Sequence, residues 1–275
     1  MIGQIIEINS NLYTVSSNDK QYLCNCRGIF RNKGITPLVG DFCKFDKDKL
    51  LIEEILPRKN SFDRPKVSNI DQAIIVTSLK NPDFSTNLID RFITIMEINN
   101  VEPIICITKE DLISEIKLKE IHKVLDYYKK IGYKVLSNTN VDEIKKLLKD
   151  KTSVFTGQTG AGKSTLLNKI DKNLALKIGE VSEALGRGRH TTRVVSLYEL
   201  CGGKVMDTPG FSAIDFTTYT KEEIKNSFIE FKNYNCIYKD CTHTNEVECR
   251  VKEAVKNNEI LEDRYNDYLK FIERR

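Results

Sequence analysis

A glycine-rich octapeptide near the middle of the chain has the residue types that hold nucleotide phosphates. Residues 157–164 read GQTGAGKS and fit the pattern G-x-x-x-x-G-K-[ST] in full. Glycines let backbone N–H groups wrap around phosphates, and the helix that follows directs its positive end at them. In this pattern Lys163 reaches the β- and γ-phosphates, and the Ser164 hydroxyl ligates Mg²⁺. The predicted nucleotide contacts are Gly157, Gln158, Thr159, Gly160, Ala161, Gly162, Lys163, Ser164 and Thr165.

A second motif lies fifty residues after the first. Residues 207–210 read DTPG and follow an apolar segment. In the D-x-x-G pattern of GTPases, Asp207 would hold Mg²⁺ through water and the Gly210 N–H would sense the γ-phosphate. An isolated DTPG is also an ordinary tight turn. The phosphate loop upstream favours the functional interpretation.

A third motif indicates which base is bound. Residues 108–111 read TKED and resemble the N/T-K-x-D motif. The Asp111 carboxylate can accept hydrogen bonds from N1–H and the N2 amine of guanine, which adenine cannot match. Asp111 is equally suited to N-cap the next helix, and Thr108 stands where Asn is usual. Ser137 occupies the place of the last base-contacting loop. The predicted base contacts are Thr108, Lys109, Glu110, Asp111 and Ser137.

The order of these motifs differs from that of ordinary GTPases. Those proteins run from the phosphate loop through D-x-x-G to the base-recognition motifs, whereas here residues 108–111 and Ser137 come first. Cutting the usual domain after D-x-x-G, and joining its last helix to its first strand, produces this order. The helix expected over 141–149 would then lead directly into the strand over 152–157. The order therefore predicts a circularly permuted domain.

Three cysteines and a histidine near the C-terminus form a pattern suited to a metal. Within fourteen residues the chain offers three thiols and one imidazole. A Cys₃His set is a recognised structural site for tetrahedral Zn²⁺, and soft thiolates disfavour Mg²⁺ and Ca²⁺. The predicted zinc ligands are Cys236, Cys241, His243 and Cys249. We interpret the other five cysteines as small apolar residues in strands or at their ends.

Composition limits the kind of protein that carries these motifs. The chain has 275 residues, with 43 Lys and Arg against 39 Asp and Glu, and 40% of its residues are hydrophobic. Such a chain can bury a core, which excludes a disordered protein. A net charge of +4 is too small to indicate nucleic acid by itself. Because no signal-peptide pattern and no apolar run of about 18 residues occurs, we expect a cytoplasmic protein without membrane contact.

The elements that must position the motifs change along the chain. Residues 1–61 alternate short apolar runs with turn residues, which predicts an OB-like barrel that either binds nucleic acid or packs on its neighbour. Over 62–218, strands alternate with helices, as in a parallel doubly wound sheet. Residues 219–275 are mostly helical. The expected fold class is α/β, with a circularly permuted P-loop GTPase domain between an OB-like β-barrel and an α-helical zinc-binding domain.

Together these features resemble the ribosome small-subunit-dependent GTPase A (RsgA) family over essentially the whole chain. Residues 186–192, GRGRHTT, look like the switch I segment of that family. By position, the resemblance makes Thr192 a ligand of Mg²⁺ and the γ-phosphate and His190 a residue of hydrolysis, beside Lys163. It implies a GTP hydrolase stimulated by the small (30S) ribosomal subunit, which binds rRNA late in subunit maturation. The implied cofactors are GTP or GDP with Mg²⁺ and one structural Zn²⁺, and a monomer is the default.

Catalysis by this chain needs an unusual placement of water. Many GTPases orient the attacking water with a Gln directly after D-x-x-G, but Phe211 stands there. His190, the substrate's own phosphate or a partner must therefore position the water. Three arginines of this region either bind RNA or stabilise the negative charge of the nucleotide phosphates: Arg187, Arg189 and Arg193.

Two other functions remain open at this point, and the permutation adds a mechanistic hypothesis. One is an RNA-binding scaffold that scarcely hydrolyses its nucleotide, and the other is an ATP-using enzyme in which the match at 108–111 is accidental.

The mechanistic hypothesis follows from connectivity, because the chain passes directly from the D-x-x-G segment, called switch II in GTPases, to the zinc domain. The presence or loss of the γ-phosphate would then reposition that domain on rRNA, and the barrel would make a second contact with the rRNA.

Overall fold

A computed structural model describes residues 1–26, 30, 34–63, 65–172, 195–207 and 216–273. The chain divides into two units. The first unit contains Met1–Ala73, Thr139–Thr156 and Lys163–Ser212. The second unit contains Ile74–Asn138, Gly157–Gly162 and Ala213–Arg275. Each unit therefore combines segments that are distant in sequence.

The described strands and helices follow the chain in this order. The strands are β1 (Ile2–Asn9), β2 (Leu12–Ser17), β3 (Lys20–Cys26), β4 (Phe42–Asp46), β5 (Leu51–Ile55), β6 (Ser61–Asp63), β7 (Lys66–Ser68), β8 (Gln72–Ser78), β9 (Glu102–Thr108), β10 (Lys134–Ser137), β11 (Thr152–Thr156), β12 (Ser196–Leu200) and β13 (Gly203–Asp207). The α-helices are α1 (Thr86–Ile98), α2 (Glu115–Lys130), α3 (Val141–Leu148), α4 (Lys163–Ile170), α5 (Lys221–Ser227), α6 (Arg250–Lys256) and α7 (Glu262–Glu273). Short 3-10 helices cover Glu110–Leu112 and Ile229–Asn233.

The first unit begins with the predicted barrel. Its strands follow the order β1-β2-β3-β5-β4, and a further pairing of β1 with β4 closes it. Successive side chains of a strand point to opposite faces, so every second residue enters the barrel. The prediction of five short N-terminal strands is confirmed. The interior is filled by buried apolar residues: Ile5, Val15, Cys24, Phe30, Cys43, Phe45 and Ile52.

The first unit also joins the barrel to the strand that carries the start of D-x-x-G. β12 and β13 form an antiparallel hairpin, and β11 runs parallel to β13. β1 of the barrel pairs with β12 at Glu7 and Ser196. In addition, Lys204 Nζ on β13 donates to Gln4 Oε1 on β1 at 2.6 Å. The barrel and β13, which ends at Asp207, therefore belong to one hydrogen-bonded sheet.

The second unit carries the strands that lead to the base-recognition motif. β8 and β10 flank β9, and β9 and β10 are parallel, with Ser137 opposite Ile107. β8 is buried along its whole length, and so is nearly all of β9. Both strands therefore have continuous apolar sequences, as expected for a parallel sheet covered on both faces.

A buried ion cluster attaches the C-terminal helices of the second unit to α1 and α2. The Arg264 side chain on α7 is 1% exposed, and its Nε and Nη1 donate to Glu230 and Asp90 at 2.5 Å each. The Tyr128 hydroxyl on α2 donates to the same Asp90 oxygen at 2.6 Å. The guanidinium also lies 4.6 Å from the ring centre of Phe228. Since a buried cation is stable only when paired and hydrogen-bonded, these contacts hold α7 in a defined place.

The helix expected over 141–149 begins and ends within one residue of α3. Residues 219–275, expected to be mostly helical, contain α5, α6 and α7. On α7, Tyr265, Tyr268 and Ile272 are buried. In the part of the chain that the structure describes, no helix has the length and apolar character needed to cross a membrane.

Candidate nucleotide site and metal cluster

The phosphate loop follows the buried strand β11 and leads into α4. Its three glycines have positive φ angles of 132° at Gly157, 79° at Gly160 and 100° at Gly162. A β-carbon on Gly157 would overlap the carbonyl oxygen of Val76. Glycine is therefore required there for both backbone conformation and space. The loop presents a backbone that a phosphate group can approach closely, as the pattern predicts.

The first turn of α4 supplies the polar side chains of the phosphate site. It contains no acidic residue that would offset the partial positive charge of the helix N-terminus. Lys163 opens the helix, and Ser164 and Thr165 are exposed beside it. Burial lowers the pKa of Lys163, and a bound phosphate would oppose that shift. A lysine, a hydroxyl and a helix N-terminus fit a nucleotide phosphate with Mg²⁺, with the Ser164 hydroxyl as the metal ligand.

The base-recognition motif is hydrogen-bonded to the phosphate loop. Thr108 ends β9, is 1% exposed, and donates from Oγ1 to the Ala161 carbonyl at 2.6 Å. Lys109 has a left-handed backbone with φ of 60°. Its Nζ donates to the carbonyl of Gly160 at 2.8 Å and to that of Asn81. Thr108 thus makes a connection between the two loops despite standing at the usual Asn position.

The remaining residues of this motif form one 3-10 turn. Ser137 Oγ, at the end of β10, donates to Glu110 Oε1 at 2.5 Å. Asp111 is exposed in the same turn. The N-cap of α2 is Ser114, whose hydroxyl accepts from Lys117 N at 3.4 Å. The alternative that Asp111 caps this helix is therefore wrong, and Asp111 is exposed to solvent.

Three of the expected nucleotide contacts lie outside the described residues: His190, Thr192 and Gly210. The other residues of switch I and Phe211 also lie outside them. Asp207 is the last residue of β13.

The predicted metal ligands come together near the C-terminus. One ligand atom from each of Cys236, Cys241, His243 and Cys249 lies within 4.8 Å of the others. The Cys236 sulfur is 3.7 Å from that of Cys249, and His243 Nδ1 is 3.5 Å and 3.3 Å from these two sulfurs. Tetrahedral Zn²⁺ with ordinary bond lengths would separate its sulfurs by about 3.8 Å, and a sulfur from a nitrogen by about 3.6 Å. The distances among Cys236, His243 and Cys249 are therefore those of a tetrahedral zinc site, and Cys241 lies within 4.8 Å as a fourth ligand.

The surroundings of the cluster favour the metal-binding forms of His243 and Cys236, whereas burial raises the pKa of Cys241 to about 12 and also raises that of Cys249. Burial lowers the pKa of His243, which favours the neutral imidazole that binds metal. Burial raises the pKa of Cys236, but backbone N–H groups of Val251 and Arg250 at the start of α6 outweigh this and lower it. The Tyr265 hydroxyl donates to the His243 carbonyl at 2.6 Å. These contacts orient the ligands before any metal is bound.

Sequence reasoning missed one carboxylate of this region. Glu246 accepts from Thr242 N at 2.6 Å, Thr242 Oγ1 at 2.7 Å and Thr244 N at 2.8 Å. Burial alone would raise the pKa of Glu246, yet these hydrogen bonds lower it to about 2. The signal was the run THTNE, since Thr and Asn near an acidic residue are typical of side-chain-capped turns.

Comparisons with protein families agree with this arrangement. The family model described as RsgA GTPase matches residues 55–217, and the RsgA N-terminal domain model matches residues 2–50. Small ribosomal subunit biogenesis GTPase RsgA 2 of Oceanobacillus iheyensis is 47% identical, covering 98% of this chain and 96% of the relative. Small ribosomal subunit biogenesis GTPase RsgA of Latilactobacillus sakei is 45% identical, covering 98% and 94%.

Solved structures give the same result. The crystal structure of YjeQ from Thermotoga maritima matches with a TM-score of 0.85 and 35% identity, covering 99% of this chain and 97% of that one. YloQ, described as a circularly permuted GTPase, matches with a TM-score of 0.81 and 38% identity, covering 99% and 93%. The motif order read from the sequence is therefore that of a permuted fold. On its sequence, its fold and its two sites, the chain belongs to the RsgA GTPase family.

Proposed function

We propose that this chain hydrolyses GTP to GDP and phosphate and acts in the maturation of the small ribosomal subunit. One observation carries the choice of GTP. The motif at residues 108–111, which carries the guanine-recognising carboxylate, is hydrogen-bonded through Thr108 and Lys109 to the phosphate loop. A base and its phosphates bound at the same time would contact both segments.

Each residue of the site has a defined part in the proposed reaction. The backbone of residues 157–162 and the Lys163 ammonium hold the phosphates, and Asp111 selects guanine. Ser164, together with Thr192 and Asp207, would hold Mg²⁺, which neutralises charge on the phosphate oxygens when bound. His190 is the proposed residue for positioning water, because Phe211 occupies the usual Gln position and can neither donate nor accept a hydrogen bond.

The partner follows from the family. Relatives named small ribosomal subunit biogenesis GTPase match nearly the whole chain, and the small subunit is the proposed partner here. The barrel (residues 1–61) and the zinc-binding domain (residues 219–275) would contact its rRNA on either side of the GTPase domain (residues 62–218). We further propose that the chain acts as a monomer and that the Cys₃His cluster holds one structural Zn²⁺.

Turnover measurements test this function. Hydrolysis of GTP and ATP would be measured with and without purified small subunits. Strong stimulation of GTP hydrolysis alone is the expected result. Binding of GTP without turnover under either condition would instead favour a scaffold protein, and equal ATP turnover would overturn the assignment of the base.

Two variants address the two halves of the site. Lys163→Ala removes the ammonium that contacts the phosphates, and we expect it to abolish nucleotide binding and turnover. Asp111→Asn replaces an acceptor with an amide, so we expect preference to shift from guanosine to xanthosine nucleotides. Competition binding with GDP and xanthosine diphosphate measures this shift. An unchanged preference for GDP in Asp111→Asn would remove Asp111 from the base site.

A further inference from the structure

The side chain of Glu110 spans the gap between two neighbouring loops of the second unit. One carboxylate oxygen, Oε1, accepts from Ser137 Oγ at 2.5 Å. The other, Oε2, lies 3.6 Å from Nε2 of His122 on α2. The Glu110 side chain is 28% exposed, unlike the freely solvated carboxylate expected in a polar loop. Both of its oxygens therefore face groups on other elements.

The strands explain why these groups meet. β9 and β10 are parallel and end side by side, with Ser137 opposite Ile107 and Asn138 N donating to the Ile107 carbonyl at 2.9 Å. The loop after β9 carries Glu110, and the loop after β10 begins at Ser137. In an open parallel sheet, ligands bind beyond the carboxyl ends of the strands. The Glu110–Ser137 contact thus lies where the two base-recognition loops leave the sheet.

Asp111 depends on the same short turn. Glu110 and Asp111 are consecutive residues of the 3-10 helix Glu110–Leu112, which follows the left-handed Lys109 and is closed by Leu112 N donating to the Lys109 carbonyl at 3.2 Å. Asp111 is exposed, whereas Glu110 is held. Two hydrogen bonds from guanine to one carboxylate require a narrow range of carboxylate orientations. Fixing Glu110 restricts the backbone that carries the Asp111 side chain.

We propose that Glu110 is a positioning residue for guanine recognition. Its carboxylate joins the loop after β9 to the loop after β10 and holds Asp111 in the orientation that pairs with the guanine edge. Ser137 acts through Glu110 in this arrangement. The role rests on the GTP binding proposed above. It gives Glu110 an indirect part in base selectivity, through Asp111, in place of the direct base contact expected from the sequence.

Nucleotide affinity measured by competition tests the role, with GDP and ADP as the two probes. Glu110→Ala is expected to weaken GDP binding about tenfold, since a hydrogen bond to a charged group is lost. ADP binding is expected to stay unchanged, because it depends on the phosphate loop. Glu110→Gln keeps an oxygen that accepts from Ser137, so its GDP affinity should fall no more than about threefold. Glu115→Ala, which removes an exposed glutamate from the first turn of α2, is the matched control.

A double-mutant cycle identifies the partner of Glu110. Ser137→Ala should weaken GDP binding as Glu110→Ala does, and the double variant should be no weaker than Glu110→Ala alone, because both changes break one contact. Equal weakening of GDP and ADP in Glu110→Ala would show general loosening and overturn the proposal. Unchanged GDP affinity in Glu110→Ala would also overturn it and leave the proposed function standing. If the wild-type chain does not prefer GDP to ADP, the base assignment and the positioning role fail together.

Discussion

Asp90 is the residue whose surroundings most clearly control its charge. It is 0% exposed and shares the Arg264 guanidinium with Glu230, so two carboxylates face one cation. Its Oδ2 has no hydrogen-bond partner among the described residues. Burial raises the pKa of Asp90 to about 7, although the Arg264 ion pair and the Tyr128 hydrogen bond act in the opposite direction. Asp90 therefore takes up a proton on folding in mildly acidic solution.

Replacing Asp90 by Asn is expected to remove a pH dependence of stability. The pKa rises from 3.8 to about 7 on folding, so the folded chain binds more protons between these values. The free energy of unfolding must then fall as the pH rises through this range. Asn is neutral, and its carbonyl can still accept from Arg264 and Tyr128.

Urea denaturation of the wild type and Asp90→Asn between about pH 6 and pH 8 measures this effect. We expect the variant to lose the decline and to be the more stable protein at the upper pH. Asp126→Asn removes an exposed carboxylate of α2 and should retain the decline. Identical slopes for wild type and Asp90→Asn would contradict the prediction.

At the scale of elements, local patterns predicted the strands and helices but not the contacts between them. α1 and α2 follow from apolar periodicity, and β8 and β9 from continuous apolar runs. The burial of Arg264 could not be predicted from local sequence, because its partners Glu230 and Asp90 are 34 and 174 residues away. A charge becomes a core residue only through such distant partners.

The same limit applies to the nucleotide site. The phosphate loop was predictable because its glycines and Lys163 lie within one short segment. The contact of Glu110 with Ser137 joins residues 27 positions apart and depends on β9 and β10 being adjacent and parallel. The Cys₃His cluster resembles the phosphate loop in this respect, because all of its ligands come from one short stretch of the chain.

The metal cluster is expected to hold one zinc ion and to order the loop in front of α6. Cys249 is the N-cap residue of α6, and the first N–H groups of that helix point at Cys236. Removing one thiolate leaves three ligands and an open position, which is typical of weaker or catalytic sites. Cys249→Ala should therefore lose zinc and speed hydrogen exchange through residues 234–256.

Metal analysis of the purified chain measures the zinc content, with about one ion per wild-type chain expected. Cys201→Ser is the matched control, since Cys201 is an exposed cysteine in the turn between β12 and β13. It should retain the ion. GDP affinity should be the same in all three proteins, because the cluster contributes no residue to the nucleotide site. A zinc content unaffected by Cys249→Ala would remove Cys249 from the ligand set.

At the scale of the molecule, the C-terminal helices are a packed part of the second unit. Asn87 on α1 donates to Asp267 on α7 at 2.6 Å, and the rings of Phe216 and Phe271 stack at 4.6 Å. The Arg264 cluster lies among the same helices. A nucleotide-driven movement of residues 219–275 alone would have to separate these groups and leave buried charges unpaired. Beside the hypothesis of an independently moving zinc domain, this packing therefore supports a second one, in which these residues move together with α1 and α2.

Hydrogen exchange distinguishes the two hypotheses. We expect the amides of α7 and of the 3-10 helix Ile229–Asn233 to exchange at equal rates in the GDP and GTP-analogue forms, because the buried cluster stays closed in both. The Arg264→Ala variant provides the reference exchange rates for a chain in which the buried ion cluster is broken. Breaking a buried ion pair by removing one partner costs about 3–5 kcal/mol, so this variant should exchange far faster in α7 and α1. If the GTP analogue alone accelerated exchange in α7 as much as Arg264→Ala does, the C-terminal helices would be released by the nucleotide. Equal rates would instead show that the C-terminal helices stay packed against α1 and α2 in both nucleotide states.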